Sequence, residues 1–557
     1  MMKRFWHKSW PDGLPYDIEI PTTTIHETLT VTAKKYPQNP AYHFQGKALT
    51  YLELDRLSNQ FANALIEMGV KKGDSVAFML PNIPQAPITI FGILKAGAIV
   101  TPINPLFKHH ELHYQLNSAN VKHLIALDLF HEVVEAGKQE TSLESVVYTR
   151  TGEYLSKVKA ILGRLAGKIP YPKLPKSDDI HFFSDLLKKQ APENPSLKIG
   201  SNDIAALLFT GGTTGPPKGA MLSHQNFMFN AKVGSQWFKV REGEECFIGV
   251  LPAFHAFGFS CIIILATLIA ASVVLIPRPE IKEILKSIEH YQATVLVGVP
   301  TLYVSMLASP LLKKYDISSL ENCFSGAASL PVQVLEQFQR ETGSYIVEGY
   351  GMTETSPILT LIPQGVLRPG AVGIPTFNTD IKIVDQVDST KELRIGEWGE
   401  ILAKGPQIFQ GYWNAPEATK TTIRGGWIHT GDIGRFDEDG YLYIGDRKKD
   451  LIKRSGYSVF PAEVEALLHR HPAVAECAVI GVPSPRVGEE VKAVVVLKTE
   501  YQDHLTTDEL RNWAKQEMAA YKYPRIIEFH TDLPKSAVGK ILRRELRESK
   551  TTNSAPI

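Results

Sequence analysis

Over roughly the first 440 residues, stretches with apolar side chains at helical spacing alternate with short, nearly continuous apolar runs. Residues 50–69, TYLELDRLSNQFANALIEMG, have the spacing of an amphipathic helix, and DSVAFMLP (74–81) reads as a strand. QAPITIFGILKAG then predicts a helix and AIVTPINP a strand. This alternation is the rhythm of an α/β protein with largely parallel sheets. Beyond residue 446 the texture changes. A charged link, DRKKDLIKRSG, leads to Pro461, well placed at the first position of a helix PAEVEALLHRHP. Strands VAECAVIGVP and EVKAVVVLK, a helix TTDELRNWAKQEMAAY and a last strand RIIEFHTDLP follow. The expectation is a large α/β domain, 1–446, of layered, mostly parallel sheets and helices, and a small mobile α+β domain, 447–557, behind a hinge. A chain of 557 residues is in any case too long for one ordinary core.

Two stretches stand out from this rhythm. Residues 258–276, GFSCIIILATLIAASVVLI, hold no charge over 19 positions, long enough for a membrane-spanning helix. Loop-like HAFGF and PRPEI flank the run, and its β-branched residues crowd the second half. A buried helix followed by a buried strand, AASVVLIP, is therefore the expected structure. Residues 154–177 hold six Lys or Arg and no Asp or Glu. On a helix, Leu155, Val158, Ile161, Leu162, Leu165 and Ile169 share one face, with Lys157, Lys159, Arg164 and Lys168 beside it. Such a helix either lies on a membrane surface or packs on its own protein.

Composition narrows the class. Apolar content of 44% and charged content of 21% are ordinary for a globular protein, and a net charge of +1 gives no bulk attraction to nucleic acid. The four cysteines, Cys246, Cys261, Cys323 and Cys477, have no C-x-x-C pair and suit neither a zinc site nor a disulfide frame. The N-terminus, MMKRFWHKSWPDG, lacks the apolar core of a signal peptide. These features predict a cytoplasmic protein, with peripheral contact at the inner face of the cell membrane if residues 154–177 meet lipid. H-E-x-x-H, G-x-S-x-G and G-x-G-x-x-G are all missing.

Residues 209–224, FTGGTTGPPKGAMLSH, are built to hold phosphate, yet Lys218 is followed by Gly219, not the Ser or Thr of the common phosphate loop. Hydroxyls of Thr210, Thr213 and Thr214 and amides of Gly211, Gly212 and Gly215 can donate to phosphate oxygens. Glycine allows close approach, and Lys218 adds a point charge. Downstream come EGYGMTE (348–354), GGWIHTGDIGRFDEDGYLYIGDRKKDLIKRSG (425–456) and PKSAVGKILRREL (534–546).

In this order and at these distances the four segments resemble the adenylate-forming superfamily, and within it the bacterial long-chain fatty-acid–CoA ligases. The resemblance implies ATP, Mg²⁺ and coenzyme A. The expected reaction is AMP-forming activation of a medium- or long-chain fatty acid to acyl-CoA through an acyl-adenylate. An aryl or branched-chain acid is the alternative substrate. A non-catalytic fatty-acid- or nucleotide-binding protein is the reading from another class. Homodimers are common among such ligases.

The resemblance also assigns roles. Residues 210–218 become the triphosphate clamp. Glu348, Gly349, Tyr350, Gly351 and Met352 lead to Thr353 at the α-phosphate, and Tyr350 stacks on adenine. Glu354 becomes a Mg²⁺ ligand with Thr214 beside it; magnesium takes few protein ligands. Gly326, Ala327 and Ala328 approach adenine and the acyl carboxylate. Asp432 accepts from both ribose hydroxyls, as an acceptor-only group can, with Arg447 as the second ribose contact. Lys540 bridges the acyl carboxylate and the α-phosphate. Lys449 becomes the hinge, and Lys453, Ser455, Gly456 and Tyr457 border the coenzyme A channel. His255 lies near the acyl carboxylate, with Phe254, Phe257 and Phe259 as candidate walls of an acyl tunnel.

Overall fold

A computed structural model describes residues 4–548, apart from 168, 211–215, 239, 329, 449, 455–456, 503 and 537–538. Two large sheets carry the first part of the chain. One runs, in spatial order, through Ile180–Phe182, Ser145–Thr149, His123–Leu127, Ser75–Met79, Ile99–Pro102, Ile204–Thr210 and Lys218–Ser223. All its neighbours are parallel except the final hairpin. The other has nine strands. Its six parallel ones begin at Tyr345–Tyr350 and run through Asn322–Ser325, Val295–Gly298, Cys246–Gly249 and Ser272–Leu275 to Pro40–Phe44. Short antiparallel strands close both edges. Parallel strands need crossovers, which the helical stretches supply.

The helices Tyr51–Glu67 and Gln85–Lys95 pack in the main apolar core, where Phe61 and Phe91 are fully buried. Gly92 makes this possible, because a Cβ there would stand 2.6 Å from Phe61 Cδ1. Lys95 is buried in this interface, and its amine donates to Asp55 Oδ1 (2.7 Å), Ser58 Oγ (2.8 Å) and Asn59 Oδ1 (2.6 Å). That set of acceptors is what a buried ammonium requires.

A third, antiparallel sheet holds Asp380–Val384, Gly399–Lys404, Trp427–Phe436 and Leu442–Arg447. The next strand, Ile452–Arg454, already belongs to the sheet of the C-terminal region, with Gly488–Leu497, Val474–Ser484 and Ile526–Phe529. The chain thus changes sheet between residues 447 and 452. The helices expected at Pro461 and after Thr506 form as Pro461–Leu468 and Thr507–Glu517.

Residues 256–268 are a buried helix and Ser272–Leu275 a buried strand, as the β-branched residues require. Among the described residues no helix is long and apolar enough to cross a membrane. The basic stretch is shorter than its pattern suggests: the helix spans only Lys157–Leu165. Leu155 and Ile169 lie outside it, and Ile169 folds back so that its N–H donates to Gly163 O (3.0 Å). The expectation that this helix packs its apolar face on its own protein is not met. Val158, Ile161, Leu162 and Leu165 are 57–80% exposed.

Candidate active site

The phosphate-type loop caps the hairpin of Ile204–Thr210 and Lys218–Ser223, whose register sets Thr210 opposite Lys218. Both residues therefore stand at the mouth of the loop. Gly211, Gly212, Thr213, Thr214 and Gly215 lie outside the described residues. Residues 410–413 lock the hairpin from the side: Met221 N donates to Gly411 O (2.9 Å) and Trp413 N to Gly219 O (2.8 Å). This lock positions a residue that sequence reasoning missed. Tyr412 Oη donates to Glu354 Oε1 (2.6 Å), and its ring lies 5.7 Å from Lys218 Nζ. The only signal was an aromatic between Gly411 and Asn414, two positions of positive φ.

The segment EGYGMTE leaves the strand Tyr345–Tyr350 at the edge of the parallel array. Its glycines are dictated by neighbouring backbone. A Cβ on Gly351 would fall 1.7 Å from Pro357 O. Glu348 points inward and accepts from Leu330 N (3.2 Å); burial pushes its carboxyl up to about 7. Its carboxylate thus serves the neighbouring backbone. Tyr350 Oη donates to Asp432 Oδ2 (2.8 Å). Asp432 in turn faces Arg447 across two antiparallel strands, with Nε and Oδ1 3.3 Å apart. Burial opposes the charge of Arg447, but Asp432 and then Tyr350 outweigh it and hold the guanidinium above its ordinary pKa. Thr353 opens a short 3₁₀ turn, Thr353–Thr355, in which Glu354 is buried.

The end that would receive an acid is apolar. A cavity of about 110 Å³ is lined by His255, Phe257, Cys261, Leu265, Gly326 and Tyr350, among others. Met352, Thr353 and Ala327 line the same space, so the residues expected at the acid and at the nucleotide share one cavity. A Cβ on Gly326 would stand 3.1 Å from Phe257, and Ala327 takes φ +69° to turn the chain there. Ala328 is exposed. Phe259 does not line the cavity. It is fully buried against Phe227, ring centroids 5.1 Å apart, because it points to the core side of its helix. Phe254 likewise packs against the core. His255 Nδ1 accepts from Phe257 N (3.4 Å), and burial, then the charge of Lys540, lowers its pKa to about 4. His255 is therefore neutral at pH 7.

The cavity wall Phe259–Leu265 is a π-helix, a rare geometry found mostly at functional positions. Its wider turns tilt carbonyls away from the ordinary ladder. Hydroxyls take them up: Tyr42 Oη donates to Ile262 O (3.2 Å), Thr267 Oγ1 to Ile263 O (2.6 Å) and Tyr51 Oη to Ala266 O (3.1 Å).

Lys540 comes from the C-terminal region on a small turn. Ser536 N donates to Lys540 O (2.8 Å) and Lys540 N to Ser536 Oγ (3.2 Å). Gly539, at φ +73°, sits so close to the large domain that a Cβ would be 2.7 Å from Thr301 Oγ1. Lys540 is open to solvent but densely surrounded. Burial first, and then Arg447, lower its amine to about 8, while Asp432 works the other way. Among the described residues its amine has no hydrogen-bond or ion-pair partner, in contrast to Lys95. Nearby, Arg543 bonds Asp446 Oδ1 (2.9 Å) and both oxygens of Glu465 (2.7 and 2.9 Å), and Arg547 bonds Asp450 (2.9 Å). The bond to Asp446 ties the C-terminal region to the last strand of the large domain, and the others brace that region internally.

Lys453 and Tyr457 are not at this cavity. They are exposed on the hairpin of Ile452–Arg454 and Tyr457–Val459. Tyr457 stacks on Tyr521 at 4.7 Å. Lys449, Ser455 and Gly456 lie outside the described residues. Among the described residues no group of three or more His, Cys, Asp or Glu forms a metal cage. The buried carboxylate of Glu354, its Oε1 fixed by Tyr412 whose ring lies near Lys218, nonetheless fits a magnesium ion carried by substrate phosphates. All four cysteines are buried thiols.

Comparison with known proteins agrees with this geometry. Residues 29–413 match the family model described as AMP-binding enzyme, and residues 463–540 that of the AMP-binding enzyme C-terminal domain. A long-chain-fatty-acid–CoA ligase of Bacillus subtilis (strain 168) is 41% identical over 554 residues, 98% of each chain. A feruloyl-CoA synthase of an Amycolatopsis species is 34% identical, covering 92% of this chain and 96% of its own. Among solved structures, an anthranilate CoA ligase in complex with anthranoyl-AMP superposes with a TM-score of 0.85 at 30% identity, over 96% of this chain and 98% of that one.

Proposed function

The chain belongs to the AMP-binding enzyme family, and from that premise we propose that it joins long-chain fatty acids to coenzyme A with ATP, through an acyl-adenylate. The observation that carries this reading is the approach of Lys540, from one domain, to a cavity in the other that is lined by His255 and by Tyr350, whose hydroxyl bonds Asp432. In the first half-reaction a carboxylate oxygen bonds to the α-phosphorus and the bond to the pyrophosphate oxygen breaks. Two anions must be brought together, so fixed cations and donors carry most of the catalysis. Lys540 stands between carboxylate and α-phosphate, Thr353 donates to the α-phosphate, and Thr210 and Lys218 hold the outer phosphates with the loop between them. Asp432 accepts from the ribose, steadied by Arg447, and Tyr350 lies against adenine. Magnesium bound with ATP would neutralise phosphate charge, and Glu354, with Thr214, would hold it. Neutral His255 adds no competing charge beside the acid.

In the second half-reaction the coenzyme A sulfur bonds to the acyl carbon and AMP leaves. For this the domain of residues 447–557 turns about Lys449, withdraws Lys540, and brings in Lys453, Ser455, Gly456 and Tyr457. Hinges of this kind are a few residues that absorb the backbone change. The exposed position of Lys453 and Tyr457 while Lys540 faces the site supports this alternation.

One observation favours a second reading, an aryl acid. The cavity of about 110 Å³ is small for a long chain while the π-helical wall stands as it does. AMP formation with ATP, Mg²⁺ and coenzyme A, measured from acetate to stearate and with benzoate and coumarate, decides between them. A maximum at ten or more carbons is expected; a maximum on the aromatic acids would overturn the substrate class and leave the nucleotide site as assigned.

The exposed row Val158, Ile161, Leu162 and Leu165, with Lys159 and Arg164 on the same short helix, supports weak attachment to anionic membranes. Co-sedimentation with anionic vesicles is expected to fall when Lys157, Lys159 and Arg164 are replaced by glutamine; unchanged sedimentation would dismiss the contact.

A further inference from the structure

A second space, of about 490 Å³, lies outside the site. Its floor is apolar: Tyr42, Phe44 and Leu49 are buried, and Leu57 and Tyr154 flank them half-buried. Tyr42 in this floor bonds Ile262 O, whereas Cys261 and Leu265 of the same π-helix line the acyl cavity. One helical segment therefore separates the two spaces. The groove is also tied to the basic helix. Lys47 Nζ donates to Leu155 O (2.7 Å) and Lys159 Nζ to Gln45 O (2.8 Å), so hairpin and helix form one unit.

The polar residues at the rim are not equivalent. Lys47 is engaged with Leu155 O. Glu53 is engaged as a helix cap, accepting from Thr50 N (2.8 Å) and Thr50 Oγ1 (3.1 Å). Arg56 is exposed and makes no hydrogen bond or ion pair among the described residues. A mostly apolar groove with one uncommitted cation at its rim is complementary to a ligand with one anionic head and an apolar tail. The volume falls within the range of about 300–1,000 Å³ typical of a site for one small molecule.

We propose that this groove binds a long-chain monocarboxylate outside the reaction site, its head on Arg56 and its tail over Tyr42, Phe44 and Leu49. The inference goes beyond the ligase reading and shares with it only the class of ligand. The guanidinium fork matches a carboxylate bidentately. Loss of such a charged contact weakens binding measurably, whereas replacement of Arg56 leaves every hydrogen bond described for the reaction site in place.

The test is equilibrium dialysis of labelled laurate against the full chain, with the reaction site filled by a non-hydrolysable sulfamate analogue of lauroyl-AMP. About one laurate per chain is expected to remain bound. Arg56→Glu should weaken it at least about tenfold, as a lost charge-assisted contact does. Arg56→Lys should retain it in large part, and Ala48→Trp, at an exposed position of the lining, should block it by filling the groove. AMP formation from laurate by the same variants reads the ligase separately, and is expected to be unchanged at saturation. No laurate bound once the reaction site is filled, or binding indifferent to both Arg56→Glu and Ala48→Trp, would overturn the proposal. Arg56-dependent binding of phosphatidylglycerol vesicles without laurate binding would also overturn it, in favour of a lipid surface.

Discussion

Tyr350, Asp432 and Arg447 sit on strands of two different sheets and hold one another by a hydrogen bond of 2.8 Å and an ion pair of 3.3 Å. Lys540 has backbone bonds to Ser536, and its amine bonds to none of the described residues. The large-domain half of the site is preorganised before any ligand arrives. The small-domain half is a single cation brought in from outside and held there by Arg543 and by the contact of Gly539 with Thr301. Lys95 marks the contrast. A lysine meant to stay buried has three side-chain acceptors within 2.8 Å. Lys540 has none among the described residues, as the proposed role at substrate oxygens would require.

If that contrast is functional, the two halves should fail differently. The largest effect is expected for Lys540→Ala. Adenylation should fall by about 100-fold or more, the scale for removing a key group from a charge-stabilising site. Thioester formation from supplied acyl-adenylate should be spared; equal loss of both half-reactions would sink the alternation. The same split should show in pH. With its amine near 8, Lys540 loses its proton as pH rises through that value. The kcat/KM of adenylation, which reports the free enzyme, should decline above about pH 8. The thioester half-reaction should lack that limb.

Asp432→Ala should give the next largest effect, of another kind. It removes the proposed ribose acceptor and leaves Tyr350 Oη and Arg447 without their partner in a buried setting. A loss of about 1.5–3 kcal/mol in nucleotide binding is expected, or about ten- to a hundredfold in the KM for ATP. Because AMP stays in place through both steps, both half-reactions should weaken. Selective loss of adenylation alone would erase the distinction between the two halves of the site.

Much of this was legible in the sequence, for reasons that differ between elements. Helical spacing in residues 50–69 and the short run 74–81 located the helix Tyr51–Glu67 and the strand Ser75–Met79, because the helix has one strongly determined buried face and the strand is buried on both. The family resemblance pointed to Tyr350, Asp432 and Arg447; the register of Trp427–Phe436 against Leu442–Arg447 pairs the last two, and a hydrogen bond adds Tyr350. Periodicity failed at the basic stretch: an apolar row extended to Leu155 and Ile169, but the helix stops at Leu165 and Ile169 folds back to bond Gly163. It failed again at Phe259, since its neighbourhood did not reveal which way a π-helical turn would aim each phenylalanine. Tyr412 escaped because its role arises from a lock between residues 410–413 and a strand about 190 positions earlier, a contact no local pattern carries.

Tyr412 gives the finest test of the wired half. Its hydroxyl adds one hydrogen bond to Glu354 and nothing to the C-terminal region. Burial first, and then Glu354, raise the pKa of its phenol, so at neutral pH the hydroxyl is a donor and fixes one carboxylate oxygen. Tyr412→Phe keeps the ring beside Lys218 and removes only that donor. The expected loss is about 1 kcal/mol, or about fivefold, read as a higher Mg²⁺ concentration for half-maximal adenylation. Thioester formation from supplied acyl-adenylate, which no longer handles a triphosphate, should be unaffected. A fall in both half-reactions would mean that the hydroxyl props up the fold of the hairpin. No change in the Mg²⁺ requirement would mean that Glu354 is oriented well enough by its own buried turn, and that wiring in the large domain is redundant at this point.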